Sequence, residues 1–182
     1  MDAGDPSAGS DNTVFQSSQA VPHGENPANL LERCFAGRQE LPVNSSLRCA
    51  AVGFSRYRGD WIGVLITPWF MDLFLLPGGG ELWGDIPGGQ HRYVELPTGT
   101  VPFTAADDPQ FGPYQHSPLV APVSALSDMA TALQLAASVM SGILGQAVPL
   151  PAEEERGMVR EVAAPPQAAS RRSFFRRLAG KR

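Results

Sequence analysis

The chain has 182 residues, 43% of them hydrophobic and 18% charged, with 19 Gly and 17 Pro; this suffices for one compact core with unstructured ends, and glycines without a triplet period exclude collagen. Two cysteines, Cys34 and Cys49, exclude a multiply stapled secreted scaffold and a four-thiolate zinc or rubredoxin-type iron site, and point to a reducing cytoplasm. The formal charge of -4 is uneven: residues 168–182 hold Arg171, Arg172, Arg176, Arg177, Lys181 and Arg182 and no acid, leaving 8 basic against 18 acidic groups (-10) elsewhere, a field that keeps nucleic acid off the body.

The N-terminus MDAGDPSAGSDNT carries acids where a secretory signal carries bases, and no apolar stretch follows it. Residues 1–25 are too poor in large apolar groups to offset ordering entropy and are expected to be a disordered arm. Asn26 and Pro27 then start a helix with Leu30, Leu31, Cys34 and Phe35 on one face, ended near Gly37. From Leu47 to Tyr57 the apolar positions predict a strand with an irregularity, and Arg58-Gly59-Asp60 is turn chemistry. The most apolar stretch, Ile62 to Leu76, has 15 residues against the roughly 20 a membrane span requires, and Pro68 and Asp72 interrupt it. Two buried strands, Trp61 to Thr67 and Trp69 to Leu76, bent or bulged at Pro68, fit it better.

Gly78 to Gly89 is a glycine loop, but it has neither GxxxxGK[ST] nor a GxGxxG opening a helix, so it is expected to be a surface segment or lid carrying Trp83. Arg92 to Leu96 predicts another strand and Val101 to Phe103 a short edge strand. Ser127 and Asp128 cap a helix in which Met129, Leu133, Ala136, Ala137, Met140 and Leu144 recur at helical spacing up to Gly145. Beyond Pro149 the composition is that of a linker leading to the basic tail.

Catalytic chemistry is thinly supplied. Of three histidines, His23 falls in the arm, and His91 and His116 sit in no metal-binding spacing; no GxSxG elbow occurs. The residues therefore argue against an enzyme and against a metal or cofactor. The rival reading is a small-ligand or metal-handling protein using the glycine loop with His91 and His116.

Residues 61–77 follow the pattern W-x-G-V-L-I-T-P-W-F-M-[ND]-L-x-L-L-P, with supporting matches at Trp83, at Leu96-Pro97-x-Gly99 before Phe103, and at Gly112-x-Tyr114-Gln115. Over about residues 27–145 the sequence resembles the nickel-iron hydrogenase assembly chaperones of the HybE, HupJ and HoxT type, and the HoxT-like members most. Where relatives carry Cys-Ser-Leu after the Tyr, this sequence reads His116-Ser117-Pro118-Leu119, so a thiol role there does not carry over. The resemblance implies a non-enzymatic accessory factor that binds an immature hydrogenase subunit in the cytoplasm before twin-arginine export. The iron-sulfur small subunit is the implied client, shielded from oxygen, with the large subunit and other accessory chaperones as further partners.

Candidate client contacts are Trp69, Met71, Trp83, Tyr114 and His116, since Trp, Tyr and Met are enriched where protein surfaces bind. Trp69 and Met71 lie in a stretch where core packing competes with contact, and Trp83 lies in a loop that permits either. In the tail, Ser170-Arg171-Arg172-Ser173-Phe174-Phe175-Arg176 resembles a twin-arginine motif without the apolar region a signal needs. Two roles are open to it. It could imitate a client's signal on an acidic groove, or form a weak contact with anionic lipid through its arginines and Phe174 and Phe175.

The expected architecture is an α+β domain over residues 26–148: an N-terminal helix, a mostly antiparallel sheet of four or five strands, and a C-terminal helix on one face. Residues 149–182 are expected to form a flexible linker and basic tail.

Overall fold

The structure, a computed structural model, describes residues 20–41 and 43–150. Most of the expected arm and nearly all of the linker and tail, including Arg171, Arg172, Phe174 and Phe175, lie outside the described residues. The elements in chain order are helix α1 (Ala28–Ala36), strands β1 (Ala50–Tyr57), β2 (Asp60–Ile66), β3 (Met71–Leu76), β4 (His91–Leu96), β5 (Gly99–Asp108) and β6 (Gly112–Val120), and helix α2 (Met129–Leu144). The six strands form one antiparallel sheet in the order β1-β2-β3-β6-β5-β4. The α+β class stands; the strand count exceeds the four or five expected.

The hydrophobic pattern of β2 and β3 explains the layering. Every residue of both strands is buried. Side chains alternate between sheet faces, so both faces there must be covered. Ile62, Val64, Ile66, Met71, Leu73 and Leu75 point into one cluster, closed by Met129, Leu133, Ala136 and Met140 of α2. Trp61, Leu65, Phe74 and Leu76 point into the other, closed by Leu31, Cys34 and Phe35 of α1. The two helices therefore take opposite faces of the sheet.

Local chemistry sets the ends. The Asn26 carboxamide oxygen accepts from the Ala28 N–H (3.0 Å), and the Asp128 carboxylate caps α2 by accepting from the Thr131 N–H (2.7 Å), with Gly145 in the left-handed region at its C-terminus. The irregularity expected in β1 is a bulge between Val52 and Ser55, where Gly53 has φ +67°. At Pro68 the chain reverses rather than bends. Thr67 N–H donates to Phe70 C=O (2.9 Å), the Thr67 hydroxyl accepts from Trp69 and Phe70 N–H, and Ile66 then pairs with Met71. Proline fits here because a turn position needs no ladder donor.

Three expectations are corrected. The strand β5 is ten residues long and interior, with β4 at the edge. The strand β6, unforeseen, runs between β3 and β5; its inward residues include the buried polar side chains Gln115 and Ser117, and Pro113 and Pro118 mask its strand character. Ordered packing also starts upstream of Asn26, because His23 N–H donates to Pro77 C=O (2.8 Å) and His23 C=O accepts from the Trp61 indole and from Arg56.

The glycine loop folds around a single buried carboxylate. Asp60 Oδ1 accepts from the N–H groups of Gly78 (2.7 Å) and Gly80 (3.0 Å), and Oδ2 from those of Leu82 (2.8 Å) and Trp83 (2.7 Å). Burial alone would raise the Asp60 pKa, but the four N–H bonds outweigh it and hold the carboxyl below its ordinary range. Gly59 and Gly80 pack backbone to backbone, leaving no room for a Cβ on either. With a depressed folded pKa, the stability Asp60 contributes is present above the unfolded carboxylate pKa and is lost as pH falls through that value toward the lower folded one. Asp60→Ala, which leaves these N–H groups without their acceptor, is expected to lower unfolding free energy by about 3 kcal/mol at neutral pH in urea denaturation. The deficit relative to wild type should shrink below about pH 4.

Candidate functional site

The sheet is unevenly covered. On the α2 side, the β6-β5-β4 half lies under the glycine loop: Arg92 donates to Leu82 C=O (2.8 Å) and the Gln115 amide to Gly84 C=O (2.7 Å). On the α1 side, the helix packs over β1, its Phe35 reaches Phe74 and Phe111 beside Tyr114, and Arg38 pairs with Asp108 at the end of β5 (2.8 Å), so the cover thins toward β4 and the far ends of β5 and β6. Exposure there alternates along the strands, with His91, Tyr93, Glu95, Pro102 and Pro118 exposed and their neighbours Val94, Leu96, Phe103 and Ser117 buried. The β4 end of this half-face is thus bare among the described residues, and Tyr93, 75% exposed, stands on it.

Register places the functional candidates. Phe74 pairs with His116, His116 with Thr104, and Thr104 with His91, so one cross-strand row runs from the covered half to the bare half. The His116 Nδ1 lies 2.8 Å from Asp72 Oδ2, with the Asp72 side chain 7% and the His116 side chain 29% accessible. His91 Nδ1 is 2.8 Å from the Thr104 hydroxyl. Tyr114 stacks on Phe74 (centroids 5.0 Å apart, planes 3° apart), and Phe74 stacks on Phe70. Burial pushes the Tyr114 phenol pKa up, so the ring presents a neutral hydroxyl at physiological pH. The same cause raises both Cys34 and Cys49, which are free thiols at the α1 side of the sheet and remain protonated.

Of the five candidate contacts, the structure brings Tyr114 and His116 together on the α1 side, where both are half-exposed. Trp69 sits in the β2–β3 turn, half-exposed, with its indole N–H donating to Leu41 C=O (2.9 Å). Met71 is fully buried in the α2-side cluster, so it is core and unavailable to a partner: as the first residue of β3 it alternates onto the covered face. Trp83 packs half-buried against that same cluster, on the face opposite Tyr114, with its indole N–H held by Asp85. Sequence reasoning missed Asp72 as the partner of His116, and Tyr93; the alternation His91-Arg92-Tyr93-Val94-Glu95-Leu96 was the available signal for Tyr93.

The rival ligand reading finds no support in the loop. Its N–H groups, which would cradle an anion, converge on Asp60 instead. Among the described residues no three metal-ligating side chains converge, and no helix is long and apolar enough to cross a membrane.

A sheet braced by helices on opposite faces, with half of one face left open and lined by aromatic and proline side chains, has the build of a binding domain. Comparison with known proteins is specific: the family model for the NiFe-hydrogenase assembly chaperone HybE matches residues 32–177, and the chain belongs to that family. Among curated relatives, it is 32% identical over 114 residues to the probable rubredoxin HupJ of Rhodobacter capsulatus, covering 62% of this chain and 41% of that protein. It is 30% identical over 140 residues to the hydrogenase expression/formation protein HupJ of Bradyrhizobium diazoefficiens, covering 76% and 77%. The chain thus spans less than half of the first of these relatives and about three quarters of the second. The solution structure of HybE from Escherichia coli shares the fold, with a TM-score of 0.58 at 21% identity over 82% of this chain and 95% of that one. The 17-residue pattern that carries the resemblance is the β2–turn–β3 hairpin, the doubly buried centre of the sheet.

His116→Ala leaves the nearly buried Asp72 carboxylate without its partner and is expected to lower stability by about 2 kcal/mol in thermal or urea unfolding. Tyr93→Ala, on the bare face, should stay within about 0.5 kcal/mol of wild type in the same measurement.

Proposed function

We propose that this protein holds an immature NiFe-hydrogenase subunit on the bare α1-side half-face of its sheet, and that the client is the iron-sulfur small subunit before its twin-arginine export from the cytoplasm. The observation that carries this reading is a surface on one side of adjacent strands, with Tyr93, Pro102 and Pro118 exposed and Tyr114 and His116 half-buried at its inner margin, in a chain of a hydrogenase assembly chaperone family. Such a surface buries the apolar face of an unfinished partner, with aromatic anchors supplying most of the affinity. Coverage of this kind slows the encounter of incomplete clusters with solvent and oxygen and involves no bond-making by the chaperone. Trp69, in the β2–β3 turn, stands as a rim contact, and other accessory chaperones are natural neighbours of the same client.

The test is direct binding of the purified full chain to cluster-free small subunit and, separately, to large subunit. Capture of the small subunit is expected, with both proteins covalently unchanged by intact-mass measurement. Tyr93→Ala should weaken that capture about tenfold while leaving the unfolding midpoint in place. Capture of the large subunit alone would reassign the client, and turnover of any bond in it would refute the non-catalytic role.

A further inference from the structure

The two edges of the sheet are treated differently. At the outer edge of β1, side chains close the backbone: the Glu32 carboxylate accepts from the Ala51 N–H (2.7 Å), and the Asn26 amide donates to the Phe54 carbonyl (2.9 Å). Both capping side chains come from α1 and its entry, so this edge is blocked to further strands. At the other edge, Ala105 N–H donates to Gln90 C=O (2.9 Å), and the alternation of antiparallel pairs turns the backbone N–H and C=O groups of His91, Tyr93 and Glu95 outward. Among the described residues, no hydrogen bond reaches these outward groups. Six residues of regular strand are left with an open row of donors and acceptors.

The edge is also chemically marked. Its only cationic side chain, Arg92, is turned to the α2 side and engaged by the carbonyls of Leu82 and Gly84, whereas Glu95 is exposed on the bare side. A strand laid along β4 would extend the buried layer of Val94 and Leu96 on one side and meet Tyr93 and Glu95 on the other.

We propose that β4 is a strand-addition site, and that its occupant is an extended segment of the immature hydrogenase subunit in which apolar side chains alternate with basic ones. This rests on the chaperone reading above and deepens it. Main-chain bonds along β4 give affinity independent of the segment's detail, while the alternation of burial beside Val94 and charge beside Glu95 gives register. The bare half-face is continuous with this edge, so an added strand also delivers the rest of the client onto Tyr93 and Tyr114.

The test exploits the direction of one N–H. Glu95→Pro removes an outward donor without touching the β4–β5 ladder, because proline is tolerated where the N–H of an edge strand faces solvent. In the full chain, with purified cluster-free small subunit in a binding titration, Glu95→Pro is expected to weaken capture at least about tenfold at an unchanged unfolding midpoint. Glu95→Thr keeps the donor and should weaken it no more than about threefold, the share of one exposed charge. Equal losses in both variants, or none in Glu95→Pro, would overturn the proposal while leaving the chaperone reading intact; wild-type chain that captures no hydrogenase subunit would overturn the chaperone reading itself and this proposal with it. Should Glu95→Pro fail to fold, hydrogen exchange on the wild-type chain decides. The Tyr93 and Glu95 amides should slow at least about tenfold when the subunit is added, and unchanged exchange would refute the site. A concentration-dependent dimer in sedimentation that protects the same amides without the subunit would make the occupant a second copy and refute the proposal.

Discussion

Everything in this molecule is arranged around a hairpin that is apolar on both faces. Strands β2 and β3 alternate side chains to the two sides as any strands do, and apart from Asp60, Gly63 and Asp72 those side chains are large and hydrophobic on both sides. Water must be excluded from each face there, and among the described residues the two helices α1 and α2 do it. Spending α1 and α2 on opposite faces of the same region leaves the strands farther along with a loop over one face and, on the other, cover that stops at Tyr114 of β6 and Asp108 of β5 and leaves β4 exposed. The open surface is therefore a consequence of where the core sits.

A second constraint fixes the covered side of that outlying half. The glycine loop has little apolar content of its own beyond Leu82 and Trp83, and it is held by the Asp60 carboxylate, which draws four backbone N–H groups to one buried point. From there the loop's carbonyls anchor Arg92 and Gln115 of the strands beneath it. An aspartate that ends one turn thus sets which face of β4 to β6 is sealed and which stays available to a partner. Family membership places the chain among the NiFe-hydrogenase assembly chaperones, and the open end of the sheet is the surface proposed above for a partner.

Much of this was legible in the residues. Both helices appear close to their expected bounds because caps and apolar spacing are local signals: Asn26 and Pro27 before one, Asp128 and Gly145 around the other. The bulge in β1 and the buried pair of strands were also visible as pattern. What escaped was β6, because its inward positions are the polar Gln115 and Ser117, buried beneath the loop with the Gln115 amide donating to Gly84 C=O, and because two prolines sit in it. Proline also misled at position 68, where it marks a reversal of direction, set by the Thr67 hydroxyl and backbone three residues away.

The candidate surface divides along the same line. Composition and motif alone established the acidic body, the basic tail, the central hairpin and its likeness to a chaperone family, and they named Tyr114 and His116 among residues suited to contact. Only the tertiary structure decided which of the named residues share a face. Strand parity sends Met71 into the core, the loop's attachment to Asp60 carries Trp83 to the far side, and antiparallel register sets His116 opposite Phe74 and diagonally beside Asp72, which is 44 positions away in the chain. Parity and register depend on which strands become neighbours, and that choice is made by burial of the whole sheet, a property no local window of sequence contains.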